Sequence, residues 1–275
     1  MTVARRNAFI GFPVPLLGER PARLPVLWHS PEGATLVLDK PAGVAALPDN
    51  WYGRNPVLTY ALNHQIEAGK PELRRMGLVR EQLAVHSLDP ELSGPVLFTE
   101  EPQRLELLRN ALGSGFWRFT FRFVATGGGN AEHLQCSLPL ARHHGEARMI
   151  VSHTTGKAAT TVFRRVAALG GAYAEWEAQT AYPRVHQLFV HAREAGLSVC
   201  GDFRYGGCAV PSVADLKRDY RPSRRFETAP PVYPGPFARL AALRFGVTEE
   251  EAVTVEAPPP KKWSSALRLL REHAG

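Results

Sequence analysis

The sequence predicts an α+β fold on three observations. Several stretches alternate apolar and polar residues at the period of a half-buried strand, Phe119 to Phe123 most clearly. Others space their apolar residues for one face of a helix, as in Leu105, Leu108 and Leu112. Strand-like and helix-like stretches follow one another without the regular alternation of a doubly wound sheet, and no repeat or linker divides the 275 residues.

In chain order, residues 1–30 are rich in Pro, Arg and Gly and show no period. They are expected to wrap as an N-terminal arm, leaving 31–275 as the main domain. Ala34 to Leu38 form a short apolar strand that Pro41 and Gly43 end. Between Arg54 and Arg75, the spacing of Leu58, Ala61, Leu62 and Ile66 suits a helix, and EEPQRLELLRNALGS suits another, closed by Gly113. The strand at Phe119 runs into Gly127 to Gly129. KAATTVFRRVAAL and AYAEWEAQT pair as strands around Gly170-Gly171, and RVHQLFVHAREAG makes a helix closed by Gly196. Arg218 to Pro236 reads as a loop, FARLAALRF and VTVEA as strands, and SSALRLLREH as a terminal helix capped by Ser264 or Ser265.

Composition bounds the chemistry. Three scattered cysteines are too few for a disulfide framework and lack zinc-knuckle spacing, so no structural metal is expected. The absence of a long apolar run and of a secretory pattern at the start leads to the expectation of a cytoplasmic protein with no membrane partner. The net charge is +7, and of 33 basic residues six are lysine and 27 arginine, the side chain whose planar fork suits phosphates and base faces. A polyanion partner and a solvated arginine-rich surface explain that balance equally well.

One stretch, Ala84 to Phe98, sets His-Ser-Leu-Asp-Pro-Glu-Leu-Ser-Gly between two apolar ends. Asp89 before Pro90 is the usual pairing of a helix N-cap with a proline in the first turn. Asp89 is equally a carboxylate projected from between two strands, with His86 three residues before it. Taken alone, the stretch favours the cap and leaves the reagent as the alternative.

The stretch has company elsewhere in the chain. His86-Ser87-Leu88-Asp89 with Leu92-Ser93-Gly94 resembles the signature of the RluA-type pseudouridine synthases, His-Arg-Leu-Asp followed by a Thr-Ser-Gly turn. Leu38 to Gly43 (LDKPAG) is similar to that family's first motif, and Gly156 to Val166 to its central strand. Arg184 to Gly207 resembles its Arg-Thr-His-Gln-Ile-Arg-Val-His helix and Gly-Asp-x-x-Tyr-Gly turn; LRFGV and EAPPPKKW resemble its closing strand and exit. The five motifs stand in the family's order from about residue 30 to the C-terminus.

The resemblance implies a pseudouridine synthase-like α+β fold, a mixed and mostly antiparallel sheet flanked by helices with a central cleft, and a cofactor-free, monomeric enzyme acting on rRNA or tRNA. It implies Asp89 as the catalytic carboxylate, and substrate-binding roles for His86, Phe121, Arg184, His186 and Leu188, with the flipped uracil stacked on Phe121 and Leu188. Three positions depart from the pattern: Ser87 replaces the family's arginine, Phe121 its tyrosine, and Phe189 the arginine that pairs with the aspartate. The phenylalanine for tyrosine keeps a stacking face, whereas loss of the arginine leaves the carboxylate without its cation. The alternatives are a catalytically impaired RNA-binding protein on the same fold, or an enzyme that uses Asp89 on another small substrate.

Overall fold

The computed structural model describes residues 8–30, 34–49, 51, 55–217, 220 and 228–273. It is an α+β structure with antiparallel strand pairing, as the sequence predicts. The chain falls into two compact units, Met1–Phe119 with Leu240–Ala257 and Thr120–Arg239 with Pro258–Gly275.

The first unit begins with β1 (Phe9–Phe12), β2 (Ala22–His29) and β3 (Thr35–Lys40). The stretch that shows no period thus contains two strands; Leu24 and Val26 are buried on alternate positions, but Pro25 between them dilutes the signal. The first seven residues of the expected arm lie outside the described residues. Helix α1 (Leu58–Glu67) buries Leu58, Ala61 and Leu62 of the stripe read from the sequence, with Gln65 buried and Ile66 only half-buried, and ends at Gly69, whose φ is 67°. After it come α2 (Pro71–Arg75), β4 (Leu83–Ala84), β5 (Gly94–Thr99) and α3 (Pro102–Ala111), both helices with proline in the first turn. The strands form one sheet in the order β1-β2-β3-β5-β4, and every residue of β5 is buried.

The chain passes into the second unit within β6 (Arg118–Gly127), which buries Phe119, Phe121 and Phe123 on alternate positions. The second unit continues with β7 (His133–Cys136), β8 (Leu140–Arg142), β9 (Met149–Val151), β10 (Thr161–Gly170) and β11 (Tyr173–Thr180). The pair expected around Gly170-Gly171 is an antiparallel hairpin whose glycines take φ of 102° and 52°, conformations that side chains resist. Helix α4 (Gln187–Glu194) closes at Gly196 with φ 76°, and β12 (Leu197–Val199) then pairs with β6. A four-residue α5 (Val213–Leu216) carries a Ser212/Asp215 capping box. Of the loop expected from Arg218 to Pro236, residues 218, 219 and 221–227 lie outside the described residues.

Strand β13 (Ala238–Phe245) returns to the first unit and pairs with β14 (Val253–Glu256). The last helix, α6 (Lys261–His273), starts ahead of the serines expected to cap it. Trp263, the first of its buried anchors, packs edge-on to Phe237 at 4.7 Å, and the Ser264 amide already donates to the Pro260 carbonyl at 3.2 Å. Burial of an aromatic ring outweighs the modest gain from a serine cap.

Candidate active site

Asp89 does not cap a helix. Its carbonyl accepts the Leu92 amide at 3.0 Å, closing a tight Asp89-Pro90-Glu91-Leu92 turn that leads straight into β5, and the residue is half-buried. Behind the turn lies Lys40, fully buried at the end of β3. Its Nζ donates to the carbonyls of Val44 and Leu92, each at 2.6 Å, and of Pro41 at 3.1 Å. Two longer contacts reach the carbonyls of Asp89 at 3.3 Å and Pro90 at 3.4 Å. A second tie joins the same two loops, the Gly43 amide donating to the Pro90 carbonyl at 2.7 Å.

Five acceptors around one nitrogen suit an ammonium, which offers three protons, better than an amine, which offers two. Burial nevertheless lowers the Lys40 pKa from 10.5 to about 7, opposed by the charges of Asp89, then Glu91 and Asp39. The sequence gives one signal of this role, a lysine between an apolar strand and Pro-Ala-Gly; the distant carbonyls it grips are invisible there.

His86 is buried in the same turn, with both ring nitrogens engaged by backbone. Its Nε2 accepts the Leu97 amide at 3.2 Å, so the proton sits on Nδ1 and is donated to the Ser87 carbonyl at 3.1 Å. Burial lowers its pKa to about 4, and its ring meets Phe119 edge-on at 5.0 Å. Ser87 is exposed. Arg109 of α3 holds the approach to the turn, donating to the carbonyls of Ala84 at 2.8 Å and Val85 at 3.3 Å.

Phe121, Arg184, His186 and Leu188 all belong to the second unit. Phe121 and Leu188 are buried, on β6 and α4. Arg184 precedes the helix; its guanidinium lies 4.6 Å from the Tyr182 ring centre, and its Nη2 reaches the Ala158 carbonyl at 3.5 Å. His186, expected on the helix, instead precedes it in the left-handed region with φ 53°, a cost that its surroundings impose. Arg204 Nη1 donates to His186 Nε2 at 3.0 Å, so His186 Nδ1 carries the proton and donates to the Tyr205 hydroxyl at 2.5 Å. The same hydroxyl accepts the Met149 amide at 2.8 Å. Burial, then the charges of Arg204 and Arg142, lower the His186 pKa to about 3, so the imidazole is neutral.

Asp202 shapes the turn that supplies these partners, its Oδ1 accepting the amides of Arg204 at 3.0 Å and Tyr205 at 3.2 Å. Phe189 stacks on the Tyr205 ring at 6.5 Å with an interplanar angle of 7°. His191 is a packed histidine. Its Nε2 donates to the Leu138 carbonyl and its Nδ1 accepts from Thr161, each at 2.9 Å. Arg204 and Tyr205 were within a motif legible in the sequence, but their convergence on His186 was not. Among the described residues no group of His, Cys, Asp or Glu could hold a metal ion, and no helix is long and apolar enough to cross a membrane.

No family model matches the chain. A ribosomal large subunit pseudouridine synthase D of Neisseria meningitidis is 29% identical over 256 residues, covering 89% of this chain and 61% of the relative. An uncharacterized RNA pseudouridine synthase of Synechocystis is 25% identical over 174 residues, 62% of this chain and 51% of the relative. The chain therefore spans between about half and two thirds of these relatives' length. Among solved structures, human RNA pseudouridylate synthase domain containing 4 superposes with a TM-score of 0.64 at 15% identity, over 90% of this chain and 92% of that one. Human RNA pseudouridylate synthase domain containing 1 gives 0.58 at 19% identity, over 86% and 84%.

Proposed function

We infer that this chain, related in sequence and in fold to the RNA pseudouridine synthases, isomerises uridine to pseudouridine in RNA with Asp89 as its catalytic carboxylate. The observation that carries the reading is the presentation of Asp89: a turn that caps no helix, locked from behind by the buried Lys40. The reaction breaks the N1–C1′ bond, turns the uracil and joins C5 to C1′, with the C5 proton lost and a proton gained at N1. A carboxylate suits it as nucleophile at C1′ or as stabiliser of a cationic sugar, and it can leave again. The attraction between Asp89 and Lys40 is mutual, so Lys40 supplies positive charge on the side of the turn away from solvent, where the family's paired arginine is Phe189.

His86 and His186 act as positioning residues in this reading, since each has both nitrogens engaged within the protein. Phe121 and Leu188 are the candidates for stacking the flipped base, and Arg184 for a phosphate. The substrate would be rRNA or tRNA, bound by a monomer in the cytoplasm through the arginine-rich surface.

RNA from cells lacking the gene should lose a pseudouridine that wild-type protein restores and Asp89→Ala protein does not. Restoration by Asp89→Ala would remove the assignment of the carboxylate. Salt-dependent RNA binding with every uridine unchanged would favour the impaired RNA-binding protein.

A further inference from the structure

The residues from Cys200 to Cys208 form a loop closed on itself at the end of β12. The Gly201 amide donates to the Cys208 carbonyl at 2.7 Å and the Cys208 amide to the Val199 carbonyl at 3.2 Å, so the two ends run side by side. Cys200 is wholly buried in a core with Val124, Phe237 and Trp263, against which the half-buried Cys208 also packs. Their sulfurs lie 3.1 Å apart. A disulfide needs about 2.05 Å, so about one ångström of side-chain movement closes the gap within a backbone frame that already exists.

The two thiols differ in a way that assigns their order. Cys208, when protonated, can donate to the Ser198 carbonyl at 3.4 Å. The Cys200 thiol donates to the Cys208 sulfur and, against burial, lowers the Cys208 pKa to about 6, while the same bond pushes that of Cys200 up. Cys208 is therefore both the more accessible sulfur and the readier thiolate. The third cysteine, Cys136, is buried with its thiol pushed up by burial, and serves as an internal control.

We propose that Cys200 and Cys208 are a peroxide-oxidised pair whose disulfide closes the base of the turn carrying Arg204 and Tyr205. The Cys208 thiolate attacks one peroxide oxygen and breaks the O–O bond, giving a sulfenic acid and hydroxide, which takes up a proton to become water. The Cys200 sulfur then attacks the Cys208 sulfur, the S–S bond forms, and the expelled hydroxide leaves with the Cys200 proton as a second water. Two thiols lose two electrons and two protons, and the peroxide is reduced to two waters. The bond would lock a turn whose Arg204 and Tyr205 hold His186, so the oxidation state of the pair reaches a residue 14 positions before Cys200 in the chain.

The test is hydrogen peroxide titration of the full chain, followed by alkylation, peptide mass mapping and hydrogen exchange. The alkylatable thiols should fall from three to one, with the peptides holding Cys200 and Cys208 joined in one chain at the loss of two hydrogens, and a dithiol reductant should restore all three. Cys200→Ser should stop Cys208 at a sulfenic acid that dimedone traps, and Cys208→Ser should protect Cys200 at the same dose. Exchange across Gly201 to Gly207 should slow several-fold in the oxidised protein. Unchanged alkylation of Cys208, a link formed only between two chains, or an unchanged exchange rate in the linked protein would overturn the proposal, and these readings on the wild-type protein decide it even if a serine variant fails to fold.

Discussion

The Asp89 turn of the first unit closes on a buried ammonium, whereas the Gly201–Gly207 turn of the second closes on a neutral imidazole and a phenol. Both turns follow a strand, and in each several polar contacts converge on one atom, carbonyls on Lys40 Nζ in the first and the Met149 amide and His186 on the Tyr205 hydroxyl in the second. They differ in what a proton does to them. Lys40 sits at the edge of ionisation near neutral pH, while His86 and His186 stay unprotonated until the solution is strongly acidic. Near neutral pH the first turn thus holds a group that titrates beside its carboxylate, while the histidines of both turns stay neutral.

The largest effect that would break this contrast is at Lys40. Lys40→Met leaves several buried carbonyls without a donor and should cost about 3–5 kcal/mol in denaturant unfolding; a loss under about 1 kcal/mol would mean the carbonyl cage is not what holds the turn. Tyr205→Phe keeps the ring stacked on Phe189 and removes only the hydroxyl that the Met149 amide and His186 use. It should cost about 1–3 kcal/mol, with the loss confined to the second unit by hydrogen exchange.

The pH response separates the two turns further. Between pH about 7 and 10.5 the unfolded chain holds a proton on Lys40 that the folded protein does not, so stability should rise with pH across that window, by up to about 1.4 kcal/mol per unit. Lys40→Met should remove this alkaline rise. The histidines act with the same sign, at the acidic end of the scale. Their pKa values of about 4 and about 3, against 6.5 when unfolded, make stability fall as pH drops below 6.5, with or without Lys40. Equal alkaline slopes in wild type and variant would show that Lys40 is not the titrating group. The smallest expected change is Phe189→Leu, which unstacks Tyr205 while keeping most of the apolar volume, at about 1 kcal/mol in the same unfolding assay.

What the sequence discloses follows the reach of its patterns. The helix with its stripe from Leu58 to Leu62, the Phe119 alternation and the hairpin at Gly170-Gly171 rest on spacings within a dozen residues, and the structure contains them, with Ile66 at the end of the stripe only half-buried. Strand β2 is obscured by Pro25 and β1 is only four residues long, and the start of α6 is set by Trp263 finding Phe237, a contact between distant positions. The same division runs through the candidate site. The motif around Asp89 marks the turn, yet its lock is a lysine 49 positions earlier. The left-handed turn at His186 has no local signature, because the arginine and tyrosine that hold it arrive 18 and 19 residues later.

Gly94, the first residue of β5, carries a consequence for the length of the segment before it. A Cβ there would stand 2.3 Å from the Leu240 carbonyl oxygen, and the Leu240 amide also donates to the Ser93 carbonyl at 2.8 Å. The far end of the Asp89 segment is therefore clamped to β13, while the near end is gripped by Lys40, itself paired with Gly94 across the sheet. The five steps from Asp89 to Gly94 act as a ruler of fixed length. Exchanging a residue within that span leaves both attachments in place, whereas a single inserted residue would force a choice between the clamp and the grip.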